Sequence, residues 1–277
     1  MNQKKNHPRP HFGMGWVADR PDQRDLFYAT PPAVSTTLPA STDLRKKCPP
    51  VYNQECLGSC TANAIAGAIE FEQIRQNKKS AFMPSRFFIY YNERAMEGTV
   101  NSDSGAQIRD GIKSVAKQGV CTEQEWPYVV GTCKVLKNDS NGEPIYDTGT
   151  KFKQKPTAAC YKDALKYEVL QYQRLQNVLP QLKGCLAEGY AFVLGFTVYS
   201  SFYNIGKNGM MPLPASNEQV VGGHAVMAVG YNDSKQVFII RNSWGASWAD
   251  KGYFYMPYAF ITSNNCSDFW TIKIVKI

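Results

Sequence analysis

Gln54-Glu55-Cys56-Leu57-Gly58-Ser59-Cys60-Thr61-Ala62-Asn63-Ala64 is a polar, glycine-containing turn that ends in a cysteine and runs straight into a helical pattern. After Cys60 the apolar residues Ala62, Ile65, Ala66 and Ile69 recur at three- and four-residue spacing, the period of a helix with one buried face. The spacing therefore predicts Cys60 at a helix N-terminus, where unpaired backbone N–H groups and the helix dipole push a thiol toward the thiolate. Gln54 lies upstream across the turn. Its side-chain NH2 and the Cys60 backbone N–H would together make an oxyanion hole for acyl chemistry. Taken alone, the same cysteine reads equally well as a small buried hydrophobe.

The histidines shift that balance. The chain has three, and His7 and His11 lie in a proline-, lysine- and asparagine-rich start without periodicity. A cysteine nucleophile needs a base, which leaves His224. It stands in Val220-Val221-Gly222-Gly223-His224-Ala225-Val226-Met227-Ala228-Val229-Gly230-Tyr231, where an apolar run directly after it reads as a buried strand and Gly222 and Gly223 permit close backbone approach. Val237-Phe238-Ile239-Ile240-Arg241-Asn242-Ser243-Trp244-Gly245 reads as a second strand. It ends in the Asn242 amide, placed to accept from the imidazole and fix its tautomer.

In these three blocks, taken in this order, the chain resembles the papain-like (C1) cysteine peptidases. Gln54, Gly58, Ser59 and Cys60 match the family's Gln-x-x-x-Gly-Ser-Cys, His224-Ala225-Val226 matches its base, and Asn242-Ser243-Trp244-Gly245 its orienting amide. Leu38-Pro39-Ala40-Ser41-Thr42-Asp43-Leu44-Arg45 is similar to the family's mature start. The leader Gly15-Trp16…Pro21-Asp22…Arg24-Asp25 is similar to that of its stand-alone microbial branch. The resemblance implies an α+β, papain-like fold in which a helical lobe faces an antiparallel β lobe, with the active site in the cleft between them. It implies a peptide or protein substrate and catalysis by Cys60, His224, Asn242 and Gln54, with Trp244 shielding the Asn242–His224 hydrogen bond. Ser104 and Gly105 of Asp103-Ser104-Gly105-Ala106 match the edge that binds substrate backbone, with Gly223 opposite and Phe196 in the specificity pocket. Two departures stand out. Thr61 replaces the aromatic residue that follows the nucleophile, and Cys56 lies four residues before Cys60 where the family has a cysteine three before, so the customary disulfide is re-routed.

At 277 residues, with 43% hydrophobic and 13% aromatic content, the chain can bury one core of two closely packed lobes. The 31 basic and 23 acidic residues are scattered, so the net +8 reads as a solvated surface without a nucleic-acid partner. No apolar stretch approaches the roughly 20 residues that span a bilayer, so no membrane partner is expected, and a monomer is. Setting Cys60 aside leaves seven of the eight cysteines, an odd number that allows at most three disulfides. The spacing of Cys48, Cys56 and Cys60 does not fit a zinc site, and neither metal nor cofactor is called for. The first fifteen residues lack the apolar core of a signal peptide, and Met1 equally fits a start after a removed signal. Secretion is expected, with a cytoplasmic location as the alternative.

In order along the chain, residues 1–37 read as an extended arm with aromatic anchors at Phe12, Trp16, Phe27 and Tyr28. Pro8, Pro10, Pro21, Pro31 and Pro32 forbid one continuous helix there. The peptidase domain follows at 38–277. Its helical lobe spans about 48–128, with helices to Asn77, from Ser85 to Met96 and from Gly105 to Gln118. A polar surface insertion spans 129–162, with Asn138-Asp139-Ser140-Asn141-Gly142 as turn chemistry, and the β lobe spans 163–277. The insertion contains no histidine to capture a substrate C-terminus, which favours an endopeptidase. A transamidase or ligase working from the same acyl-enzyme, and a catalytically inactive binding module on the same fold, are the alternatives.

Overall fold

The computed structural model describes residues 12–30, 38–140 and 144–276; His7, His11, Pro8, Pro10, Pro31, Pro32 and the Asn141-Gly142 turn lie outside them. The arm contributes a two-residue strand, β1 (Trp16–Val17), and the segment after it a short strand, β2 (Ser41–Asp43). Helix α1 (Cys60–Asn77) begins at the candidate nucleophile. Helix α2 (Arg86–Glu97) is capped by Ser85, whose hydroxyl accepts the Phe88 N–H, and ends at Gly98 with φ 74°. Strand β3 (Ala106–Gln107) leads into α3 (Ile108–Gln118), which stops at Gly119. Both α2 and α3 start later than the apolar spacing predicts. Ser85 serves as a cap, and Ala106–Gln107 stay extended to pair in parallel with β1.

Helix α1 differs from the expected one-faced helix, since it is buried on all sides through its first three turns. The alanines at 62, 64, 66 and 68 let β-strands and helices approach from every direction. Gly67 faces the buried Arg241 guanidinium, where a Cβ would lie 2.8 Å from Nη1. Gln73 is buried as well and accepts the Phe82 N–H at 3.1 Å.

Within 129–162 the hairpin β4 (Val135–Asn138) and β5 (Pro144–Tyr146) lies at the surface. Its return path does not. Phe152 and Cys160, the latter on α4 (Ala158–Ala164), are buried in the core. A disulfide joins Cys56 in the nucleophile turn to Cys133 at the base of the hairpin, a pairing the sequence left open, and Cys48, Cys121, Cys160, Cys185 and Cys266 are free thiols.

The β lobe comprises β6 (Val169–Arg174), α5 (Leu179–Ala187), β7 (Phe192–Tyr199), β8 (Val220–Asn232), β9 (Val237–Arg241), β10 (Tyr253–Pro257), α6 (Tyr258–Ile261) and β11 (Cys266–Val275). The strands form one antiparallel sheet in the order β10-β9-β8-β7-β11-β6, with β2 along β8. Because α1 packs on β7, β8 and β11, the first turn of the helix meets the stretch of β8 that holds His224.

Candidate active site

His224 lies within β8, opposite Phe196 of β7, and is wholly buried. Its Nε2 donates to Asn242 Oδ1 at 2.7 Å, and the same oxygen accepts the Ser243 N–H at 2.8 Å. That fixes the tautomer with Nδ1 unprotonated, and among the described residues Nδ1 has no hydrogen-bond partner. The Trp244 ring lies 4.9 Å from the imidazole and covers this pair. It is the arrangement of a base held by an amide and roofed by an aromatic.

Cys60 is fully buried at the head of α1. The backbone N–H groups of Ala225, the residue after His224, of Gly15 of the arm and of Thr61 favour its thiolate form. The Gln54 side chain is aligned by Ser243 Oγ, which donates to its Oε1, and its Nε2 donates to Leu57 O at 3.0 Å and to Gly13 O at 2.8 Å. Thus the amide that sequence reasoning assigned to an oxyanion already grips a peptide carbonyl. Thr61, where the aromatic residue was missing, donates from Oγ1 to the buried Glu93 Oε1 at 2.6 Å, and burial raises the Glu93 carboxyl well above its usual range. A small polar pair thereby replaces a ring behind the nucleophile.

The arm runs through the cleft. Gly13 N–H donates to Glu55 O at 3.0 Å, and Ala106 N–H to Gly15 O at 2.8 Å. Phe12 stacks on Trp244 with centroids 4.2 Å apart. The approach is so close that a Cβ on Gly15 would lie 1.7 Å from Gly58 O and one on Gly13 1.9 Å from Leu57 O. The Asp103–Ala106 stretch thus lies along the arm, and its backbone donor to the arm is Ala106. Gly105 supplies a left-handed backbone (φ 69°) that brings the stretch close, while the Ser104 hydroxyl turns away to Thr99 and Gly105 O. Gly223 faces Trp16, where a Cβ would come within 2.6 Å of its carbonyl.

One assignment is corrected. Phe196 does not line a pocket; it is buried against Phe202, Phe254, Phe260 and the edge of His224. Successive residues of a strand face opposite ways, so its neighbour Gly195 faces the cleft and meets the Trp16 ring. Sequence reasoning also missed Asp103, which accepts Gly58 N–H at 3.0 Å and the Tyr90 hydroxyl; that hydroxyl in turn accepts Gly105 N–H at 3.2 Å. One carboxylate thus ties the nucleophile turn to the stretch that flanks the arm. Its only sequence signal was an acidic residue two positions before Gly105.

Protonation in this arrangement differs from the expectation for a helix N-terminus. Burial pushes the Cys60 thiol up to about 12, outweighing the three N–H groups that lower it, and burial holds His224 down to about 4 against the Asn242 hydrogen bond. Under the arm both groups are neutral.

A family model described as Papain family cysteine protease matches residues 38–268. An uncharacterized peptidase C1-like protein of Acanthamoeba polyphaga mimivirus is 38% identical, over 94% of this chain and 86% of its own length. The solved structure of xylellain, a cysteine protease from Xylella fastidiosa, is similar with a TM-score of 0.84 and 46% identity, over 96% of this chain and 98% of that one. Procathepsin B S9 from Trypanosoma congolense, at 15% identity, aligns with a TM-score of 0.71 over 94% and 85% of the two chains, a likeness of fold.

Proposed function

The chain belongs to the papain family of cysteine proteases, and from that premise we propose that it is an endopeptidase working through a thioester on Cys60. One observation carries the reading: the cleft already holds an extended peptide. The Gly13 carbonyl sits on the Gln54 amide, beside a nucleophile candidate at a helix start and a tautomer-fixed histidine. In the proposed reaction the Cys60 sulfur attacks a substrate carbonyl while its proton passes to His224 Nδ1. Gln54 Nε2 and the Cys60 N–H stabilise the oxyanion. The imidazolium then protonates the leaving amine, and water, deprotonated by His224, releases the acyl group. Asn242 keeps the ring in register throughout, and Trp244 keeps water from their hydrogen bond.

The endopeptidase reading rests on the absence of histidine from 129–162. Beyond the arm the groove also continues, past Phe12 along Asn53, Glu55, Trp244 and Trp248. Cleavage of an internally quenched peptide with a blocked C-terminus is the expected result; failure there, with cleavage of a free C-terminus, overturns it.

The arm is proposed as a restraint. Gly13–Val17 fill the cleft and desolvate the catalytic pair, so displacing them returns water to Cys60 and His224 and lets the thiolate–imidazolium pair form. An inactive binding module would show the same burial. Incubation with iodoacetamide separates the two, since an enzyme labels at Cys60 once the arm is loosened and a dead module does not. The Cys56–Cys133 bridge supports secretion into an oxidising compartment.

A further inference from the structure

Trp16 lies in a slot whose walls are two glycines on neighbouring strands. A Cβ on Gly195 of β7 would lie 2.0 Å from Trp16 Cε2, and one on Gly223 of β8 2.8 Å from Trp16 Cε3. Only glycine leaves that space open. The slot is polar at one point, where the indole Nε1–H donates to Asp268 Oδ2 at 3.1 Å. Asp268 is 2% exposed and is set there by a bulge: the pairing of β11 with β7 breaks register between Ser267 and Trp270, and Asp268 has φ 58°. Aspartate tolerates that conformation better than most residues, and a bulge re-aims a side chain that regular pleating would send elsewhere.

The partners of this carboxylate divide in two. Arg174 Nη2, on β6, donates to Oδ1 at 3.1 Å and belongs to the catalytic domain. The Asp19 N–H, which donates to Oδ2 at 2.8 Å, belongs to the arm, as does Trp16. When the arm leaves, Oδ2 loses both donors at once while Oδ1 keeps Arg174. A buried acceptor without a donor is costly, and whatever next fills the slot is selected for supplying one.

We propose that Asp268 is a specificity-determining residue, and that in the working enzyme this slot selects a substrate side chain that is flat and carries an N–H or O–H donor, tryptophan or tyrosine, over phenylalanine or leucine. The Arg174 guanidinium already balances the Asp268 charge, so a neutral donor is preferred to lysine or arginine. The inference rests on the peptidase reading and names the side chain that reading leaves open.

Two measurements on the full chain test it. The first needs no turnover: Trp16→Tyr, Trp16→Phe and Trp16→Leu are compared with the parent by the rate of Cys60 alkylation with iodoacetamide. Tryptophan and tyrosine should hold the arm down, and phenylalanine and leucine should label about tenfold faster, the worth of one hydrogen bond to a charged acceptor. The difference should collapse in Asp268→Asn and Asp268→Gly, both of which accept positive φ and keep the fold. Equal labelling of the parent and Trp16→Phe overturns the proposal. The second is digestion of a proteome-derived peptide library by the full chain carrying Trp16→Ala, with cleavage sites read by mass spectrometry. Tryptophan and tyrosine should be enriched several-fold at one position within three residues of the scissile bond, and adding Asp268→Gly should abolish the enrichment. Cleavage with phenylalanine or leucine favoured as much overturns the proposal. Absence of any cleavage, with the alkylation order intact, would instead count against the peptidase reading and leave the slot's selectivity standing.

Discussion

Cys60 and His224 are placed as a nucleophile and a base would be, but burial keeps both neutral. The thiol sits at a helix start that favours a thiolate, yet burial under the arm sets it near 12, and the histidine that should take its proton sits near 4. Since these groups act as a unit, Cys60→Ala should abolish peptide hydrolysis with an unchanged melting curve, and His224→Ala should cost nearly as much, at least ~10⁴-fold in kcat. Asn242→Ala removes orientation only and should cost on the order of 10²-fold. Gln54→Ala removes one oxyanion donor and should lower kcat by roughly 10²- to 10³-fold with KM little changed. Steady-state kinetics on one quenched peptide checks all four, and turnover retained by the Cys60 variant would refute the assignment. These residues were legible because each is scarce or set in a distinctive block: one histidine outside the arm, one cysteine opening an apolar helix, one amide ending an apolar strand. Asp268 and Ala106 were not. The first is aimed by a bulge and the second acts through its backbone N–H, and neither leaves a mark in residue type.

At the scale of elements, the arm is latched by acids and bases drawn from several parts of the fold. Asp19 accepts the Trp270 indole N–H at 2.9 Å and the Arg109 N–H at 3.0 Å, and sits beside Asp268. Asp25 pairs with Arg109 and Arg174, and Asp22 with Lys113. Burial, and then the Asp268 charge, raises Asp19 to about 6. A carboxyl whose pKa is higher docked than free is held more tightly when protonated, so its contribution to docking is full below its free value near 4 and fades as pH rises through about 6. Asp25 works the other way. Burial opposes its charge, but the hydrogen bonds from Arg109 and Arg174 win and lower its pKa, so its contribution is lost in acid. Glu97, which burial raises to about 7, adds its own charge nearby as pH climbs. The expected outcome is an arm that loosens as pH rises from about 4 to about 6. Cys60 alkylation, taken as the ratio of parent to Asp19→Asn at each pH so that thiol ionisation cancels, should rise across that interval; a flat ratio would refute the latch. Element order was readable from periodicity, and the errors have physical causes. The central helix is buried on every side because alanine is small, and the supposed surface insertion returns Phe152 and Cys160 to the core.

For the whole molecule, the proposed restraint divides the arm into two stretches. Residues 12–17 plug the cleft. Residues 19–28 strap both lobes, through the Asp25 ion pairs with Arg109 of α3 and Arg174 of β6, the Tyr28 N–H on Arg174 O at 2.8 Å and the buried Tyr28 ring, whose hydroxyl donates to Glu188 at 3.1 Å. One arm can therefore both restrain the site and brace the fold. Gly15→Ala tests the plug alone. Its Cβ would lie 1.7 Å from the Gly58 carbonyl, which is backbone and cannot swing aside, so residues 13–17 must lift while the strap stays. Turnover and Cys60 alkylation should both rise, with the melting temperature nearly unchanged. Asp25→Asn tests the strap alone. Weakening a buried pair shared by two arginines costs on the order of 3 kcal/mol, or roughly 5–10 °C in a chain of this size, with little gain in rate while the plug remains seated. Deleting residues 1–36 should combine both effects, giving higher activity and a lower melting temperature. Kinetics and thermal melts on the three variants decide the matter: a deletion that melts lower without gaining rate would make the arm a brace only, and Gly15→Ala as inert as the parent would remove the plug from the mechanism.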